Sequence, residues 1–264
     1  MDIGIDGNTA IVTAGGNGLG KATARVFARE GANVVINDID GDSLATAASE
    51  IRADAADGVE VATVQGDLTD PDDIEELVAV TVEEFGGIDH LVTSAGGPPS
   101  GSFMETDDED WEFAFELLVM SVVRLAREAY PHLEDGGGTI VNSTSRSVKE
   151  AIDGLVLSNS VRSGVAGLAK TLSMEFAPEV RTNVVMPGPT ETQRQVDLIE
   201  SAIERGEYDS YEEGLEAKSQ GIPMGRLGQP EEFGEFVVTL SSPIASYVNG
   251  TAIAIDGGAM ASNV

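Results

Sequence analysis

Cysteine is absent from this chain, which excludes disulfides, thiolate nucleophiles and Cys-ligated metals. Histidine is almost absent. His90 and His132 lie far apart with no ligand spacing, so they read as packing or surface residues and no metal site is expected. Basic residues are scarce, 15 against 46 acidic, and the lysines are limited to Lys21, Lys149, Lys170 and Lys218. The formal charge of −31 repels nucleic acid and anionic membranes. No apolar run approaches the roughly 18 residues of a membrane span. Met1–Asp6 has no basic region and no apolar core of signal length. A soluble, cytoplasmic protein without nucleic-acid or membrane partners is the expectation. The acids are spread over candidate helix faces and form no long block, so a disordered acidic tail fits poorly. A solvated acidic surface, as halophilic proteins carry, fits better and implies that stability depends on salt.

What is present is an alternation of short apolar runs and amphipathic stretches. Strands are expected over Thr9–Ala14, Asn33–Asn37, Val59–Gln65, Ile88–Ser94, Thr139–Ser143, Val180–Met186 and Ala252–Ile255. Helices are expected over Leu19–Glu30, Asp72–Phe85 behind Pro71, Glu109–Leu133 and Leu155–Ala177. With 41% hydrophobic residues, the 264-residue chain can bury one core, and no repeat or linker divides it. The expected fold is α/β: a single-domain, Rossmann-like, doubly wound parallel sheet of about seven strands, with helices on both faces. Residues 1–264 form that one domain. The polar segment at about 190–220, with helical stretches, interrupts the alternation after a strand's carboxyl end, where such folds place elements that cover substrate.

The first strand runs into Thr13-Ala14-Gly15-Gly16-Asn17-Gly18-Leu19-Gly20. Glycines between a strand and a helix let backbone N–H groups approach a pyrophosphate. Lys21 stands where the last glycine of G-x-G-x-x-G would fall, so that spacing is not met. Ala14 is tolerable in such a loop if its φ stays negative. Asp38, ending the second strand, suits the adenosine ribose hydroxyls and repels a 2′-phosphate, which favours NAD(H) over NADP(H).

Taken together, these segments resemble the classical short-chain dehydrogenase/reductase family. The glycine loop is similar to T-G-x-x-x-G-x-G, with Ala14 for the first glycine. Thr93-Ser94-Ala95-Gly96 stands where that family has Asn-Asn-Ala-Gly, and Asn183–Gly188 matches N-x-x-x-P-G. Pro223–Arg226, Pro230–Glu232 and Asp256–Gly258 match its closing signature. Over about residues 5–260 the overall pattern is most similar to the 3-oxoacyl-[acyl-carrier-protein] reductases, specifically a divergent branch with imperfect motifs. The resemblance implies cofactor contacts from Thr13, Gly15, Asn17, Gly18, Leu19, Gly20, Asp38, Asp67, Leu68, Ser94, Ala95, Gly96, Arg162, Pro187, Gly188, Thr190 and Thr192. Asp67 corresponds to an acid that holds the adenine amino group. The resemblance also implies a homotetramer or homodimer built on the long helices.

The catalytic residues depart from the family pattern. Ser145 keeps the carbonyl-polarising serine. Ser158 replaces the tyrosine of Tyr-x-x-x-Lys, Arg162 replaces its lysine, and Leu118 replaces a helix asparagine that anchors a water relay. No tyrosine in the chain has a lysine four positions later. Arg162 can orient a nicotinamide ribose but cannot pass a proton at neutral pH. Lys149 is the nearest substitute cation, and Tyr208 or Tyr211 could reach over the site from the insertion. Two readings stay open. One is an NAD(H)-dependent oxidoreductase acting on a small-molecule carbonyl or secondary alcohol, with Ser145, Ser158 and Arg162 at the reacting centre. The other is a nucleotide-binding sensor, scaffold or subunit with little activity. An acyl-carrier-protein partner fits poorly, because two acidic surfaces repel.

Overall fold

Strands covered on both faces are apolar at successive positions, and the computed structural model, which describes residues 2–204 and 206–262, shows that pattern. β1 (Thr9–Val12), β4 (His90–Thr93) and most of β5 (Thr139–Ser143) are buried at consecutive residues. With β2 (Asn33–Asp38), β3 (Val61–Gln65), β6 (Arg181–Pro187) and β7 (Ala252–Ile255) they form one parallel sheet. Its order is β3-β2-β1-β4-β5-β6-β7.

The pleat divides the core in two. Ala10, Val12, Val34 and Ile36 point to the face covered by α1 (Gly18–Arg29), α2 (Gly41–Asp54) and α9 (Pro230–Ser241). Ile11, Val35, Leu91 and Ile140 point to the face covered by α3 (Pro71–Phe85), α5 (Ser121–Leu133) and α6 (Val156–Glu175). Each fully buried Ile or Leu contributes roughly 1.5–3 kcal/mol of transfer free energy. Side-chain caps fix two helix starts: Asp40 accepts from the Asp42 and Ser43 N–H groups, and Asp70 accepts from Asp72 ahead of Pro71.

Two features differ from the expectations. α2 and α9 fill stretches for which no helix was read. The expected single helix over 109–133 is instead α4 (Asp108–Phe115), a π-helical turn (Glu116–Met120) and α5. After β6 the chain forms α7 (Gln193–Glu204) and α8 (Tyr211–Ser219), in keeping with the helical stretches expected in the polar segment at about 190–220. Among the described residues no helix is long and apolar enough to cross a membrane.

His90 is a structural residue of β4. Its Nε2 lies 2.9 Å from Asn8 Nδ2, its Nδ1 lies 2.8 Å from Thr139 Oγ1, and its ring stacks on Phe27. Burial, with a smaller push from Arg181, lowers its pKa from 6.5 to about 3. Between those values the unfolded chain binds a proton that the folded chain refuses. This contribution to stability is therefore complete above pH 6.5 and declines as pH falls, by about 1.4 kcal/mol per unit. Denaturant melts at pH 7 and 6 should differ by roughly 0.7 kcal/mol, above the range where ordinary carboxylates titrate. A flat profile there would contradict a neutral, buried His90.

Candidate active site

The strand order reverses between β1 and β4, and in such sheets the crevice lies beyond the carboxyl ends at that point. A cleft of about 700 Å³ opens there. Five groups of residues line it: the loop after β1, the end of β2, the loop after β4, the segment from β5 into α6, and the turn after β6 that leads into α7. Of the residues singled out from sequence, it brings together Asn17, Gly18, Leu19, Gly20, Asp38, Ser94, Ala95, Gly96, Ser145, Ser158, Arg162, Pro187, Gly188, Thr190 and Thr192.

Thr13, Gly15, Asp67 and Leu68 do not line it. Thr13 is buried and works between strands: its hydroxyl donates to the Ser94 carbonyl at 2.6 Å and accepts from the Ser94 N–H at 2.8 Å. That pair ties the two switch-point loops together. Gly15 is buried beneath the loop, its N–H bonded to the Asn37 carbonyl. The Asp67 carboxylate turns back onto its own segment and accepts from the Thr69 N–H and hydroxyl, both at 2.8 Å.

Ala14 overturns the expectation of a negative φ, since it sits at φ 48. Its neighbour is Gly20, where an added Cβ would come within 2.1 Å of the Ala14 carbonyl oxygen. The turn is wound tightly onto α1 and residue 14 is left-handed within it, a conformation costing roughly 1–2 kcal/mol for an L-residue. Ala14→Gly should therefore stabilise the fold by about 1 kcal/mol, or raise Tm by roughly 2–4 °C. A lower melting temperature for this variant would contradict the strained turn.

One border of the cleft is Ser145, which leads into a short 3₁₀ turn, Arg146–Val148, just after β5. Ser145 caps it, its Oγ accepting from the Ser147 N–H at 3.1 Å. The Ser147 hydroxyl lies 3.1 Å from the Ser158 hydroxyl on α6, and both residues are buried. Ser147, which sequence reasoning missed, thus holds Ser145 through its amide and Ser158 through its side chain. Neither sequence spacing nor residue type signals this role, because the link spans 11 residues and exists only after folding. Asn159 anchors the same helix end, bonding both polar groups of the Ile152 peptide at 2.9 and 3.1 Å.

Arg162, one turn beyond Ser158 and 8% exposed, donates to the Gly96 carbonyl at 3.3 Å. Its guanidinium therefore sits between α6 and the loop after β4. Leu118, in the π-helical turn, is buried with Ala114, Leu157 and Val161. An apolar cluster thus occupies the place where an asparagine would anchor a water.

The proposed substitutes do not reach the cleft. Lys149 is exposed and donates to the Ala252 carbonyl at 3.4 Å. The Tyr211 hydroxyl donates to Glu191 at 3.1 Å. Desolvation and that carboxylate push its pKa above the ordinary tyrosine value, which makes it a poorer acid. Tyr208 lies against Gly214 of α8. None of the three lines the cleft.

A dinucleotide fits these residues. The volume suits a ligand of that size. A Cβ on Gly16 would meet Asp38 Oδ2 at 2.7 Å, so the glycine lets the carboxylate close onto the phosphate loop. Asp38 Oδ2 accepts from the Gly16 N–H at 3.0 Å, and Oδ1 accepts from Asp40 at 3.2 Å.

Comparison with known proteins agrees. The family model described as Enoyl-(Acyl carrier protein) reductase matches residues 13–260. The chain belongs to the short-chain dehydrogenase/reductase family of oxidoreductases. It is 32% identical to the 3-oxoacyl-[acyl-carrier-protein] reductase FabG of Thermotoga maritima, over 96% of this chain and 98% of that one. It is 31% identical to the oxidoreductase UcpA of Salmonella typhimurium, over 96% and 95%. The L-sorbose reductase of Gluconobacter frateurii, solved with NADPH and L-sorbose, superposes with a TM-score of 0.94 at 33% identity, covering 99% of this chain and 100% of that one. A nicotinamide dinucleotide is therefore the cofactor class. These relatives are named as reductases and oxidoreductases, so a sensor, scaffold or subunit role gains no support from them.

Proposed function

We propose that this chain is an NAD(H)-dependent oxidoreductase that interconverts a carbonyl and a secondary alcohol through a serine-lined centre. The observation that carries the reading is the Ser145–Ser147–Ser158 arrangement beside Arg162 in the cleft. Ser145 Oγ accepts from a backbone N–H, which leaves its own proton to donate to a substrate oxygen. When bound, the nicotinamide supplies or takes up the hydride. Arg162 fixes the loop after β4 and presents positive charge where the family has lysine, but it holds its proton. The proton is exchanged through Ser158 with solvent, a weaker arrangement than an acidic phenol. Substrates whose alcohol or enol form is comparatively acidic suit such a centre.

The similar L-sorbose reductase carries NADPH, so likeness alone would favour that cofactor. The residues of this chain argue for NAD(H). Asp38 is held at the end of β2 by two backbone N–H groups, and Asp40 and Asp42 follow it. The nearby cations of α1 are engaged: Lys21 with Glu50 at 2.9 Å, and Arg25 with Asp54. A 2′-phosphate would meet carboxylates there. Assembly through α4, α5 and α6, in a salt-rich cytoplasm that screens the −31 charge, belongs to the same reading. Exposed Phe113 and Phe115 on α4 support it.

Calorimetric titration with NADH and with NADPH in molar KCl tests the proposal. Tighter binding of NADH than of NADPH is expected, with the gap narrowed at that salt by screening of Asp38. Binding of neither would remove the oxidoreductase reading altogether.

A further inference from the structure

Among the described residues, the buried side-chain atoms left without a hydrogen-bond partner are Asn37 Oδ1, Thr182 Oγ1 and Gln195 Nε2. The first two belong to strands β2 and β6. Gln195 is different, because it stands in the first turn of α7 and lines the cleft. An amide donor shut away from water with no acceptor is costly, and a polar group retained in that state needs an explanation.

The surrounding geometry supplies one. The Gln195 N–H bonds the Thr192 carbonyl at 2.8 Å, so the two residues share one turn. The Thr192 methyl lies 3.6 Å from where a Cβ on Gly18 would stand, so the foot of α7 rests directly over the glycine loop. Gly18 begins α1, whose first backbone N–H groups face the cleft there. A ligand oxygen on that loop would lie close to the first turn of α7, which carries Gln195.

We infer that Gln195 is a cofactor-binding residue whose side-chain amide donates to a pyrophosphate oxygen of the dinucleotide, closing α7 over the glycine loop. This rests on the dinucleotide reading above. The bond is charge-assisted and sheltered, so its loss is expected to be well above that of an exposed contact.

The test uses the whole protein and two ligands: NADH, and ADP-ribose, which keeps the pyrophosphate but lacks the nicotinamide. Gln195→Leu should weaken both by about tenfold. Gln195→Glu removes the donor and places a negative charge beside the phosphates, so it should weaken both further. The ligand-free melting temperature of Gln195→Leu should be equal to or above that of the wild type, since no protein partner is lost. Gln195→Met gives a second apolar variant should Leu misfold. Unchanged affinity for both ligands overturns the inference. So does a loss confined to NADH, which would assign the donor to the nicotinamide end. So does a clear fall in ligand-free stability, which would show that the amide is already partnered. If the wild type binds neither ligand, the dinucleotide reading itself falls, an outcome distinct from all of these.

Discussion

Ser145→Ala should lower kcat about 100-fold or more while leaving NADH affinity within about twofold. Its hydroxyl is the donor that the 3₁₀ turn aims into the cleft, oriented by the Ser147 amide at 3.1 Å. Removing a single preorganised donor to a developing oxyanion costs about 10²–10³ in turnover, because the donor acts mainly in the transition state. Ser158→Ala should cost less, about tenfold, since water can take the place of a small hydroxyl and no acidic phenol is lost. Ser147→Ala frees Ser158 but keeps the backbone amide on Ser145, so its effect should fall on the pH dependence of kcat more than on KM. The check is steady-state turnover of NADH with the best carbonyl substrate from a screen. Unchanged kcat in Ser145→Ala would mean that the substrate oxygen lies elsewhere in the cleft.

The fold was legible because parallel strands announce themselves. Runs such as Ile140-Val141 and Val184-Val185-Met186 are apolar at successive positions, as burial on both faces requires, and the strands lie within a residue or two of where they were expected. α2 was harder to read. Its inward residues are Leu44, Ala47, Ala48 and Ile51, and alanines give a faint stripe against the polar positions between them. The π-helical turn at Glu116–Met120 was invisible, because an extra residue in one turn leaves the apolar pattern on either side intact. At the site, the cleft-lining loops could be read because their chemistry is local: glycines before a helix, a carboxylate ending a strand. Ala14 was misjudged because its left-handed φ runs against its own preference, in a turn packed tightly against Gly20, six residues on. Asp67 has a local partner beside the one expected for it. A carboxylate after a strand suits an adenine amino group, but Thr69 two residues later offers it two donors within its own turn. Ser147 and Gln195 had no local signature, since each matters only through a partner brought near, or left missing, by the tertiary fold.

The second large effect concerns cofactor choice, and Asp38→Asn separates charge from shape there. Asp38 holds two backbone N–H groups, of Gly16 at 3.0 Å and Asp40 at 3.2 Å, and lines the cleft, where the proposed reading puts the adenosine ribose. Asparagine keeps the size and one acceptor but removes the charge. At about 4 Å and an effective dielectric near 20, each unit of like charge costs up to about 4 kcal/mol before salt screening. Partial screening leaves an expected gain of roughly tenfold to 100-fold in NADPH affinity relative to NADH. Asp38→Ala should shift the ratio as far but weaken NADH more, because the Gly16 anchor goes with the charge. The Debye length falls from about 10 Å at 0.1 M to about 3 Å at 1 M, so wild-type discrimination should itself shrink as salt rises. That dependence distinguishes repulsion by Asp38 from a steric exclusion of the phosphate, which salt would leave untouched. Titrations of wild type and Asp38→Asn at 0.3 and 2 M KCl, with both cofactors, measure it. A ratio that neither the substitution nor the salt alters would mean that Asp38 does not set the preference, and that the NADPH found in the L-sorbose reductase is the better guide to this chain.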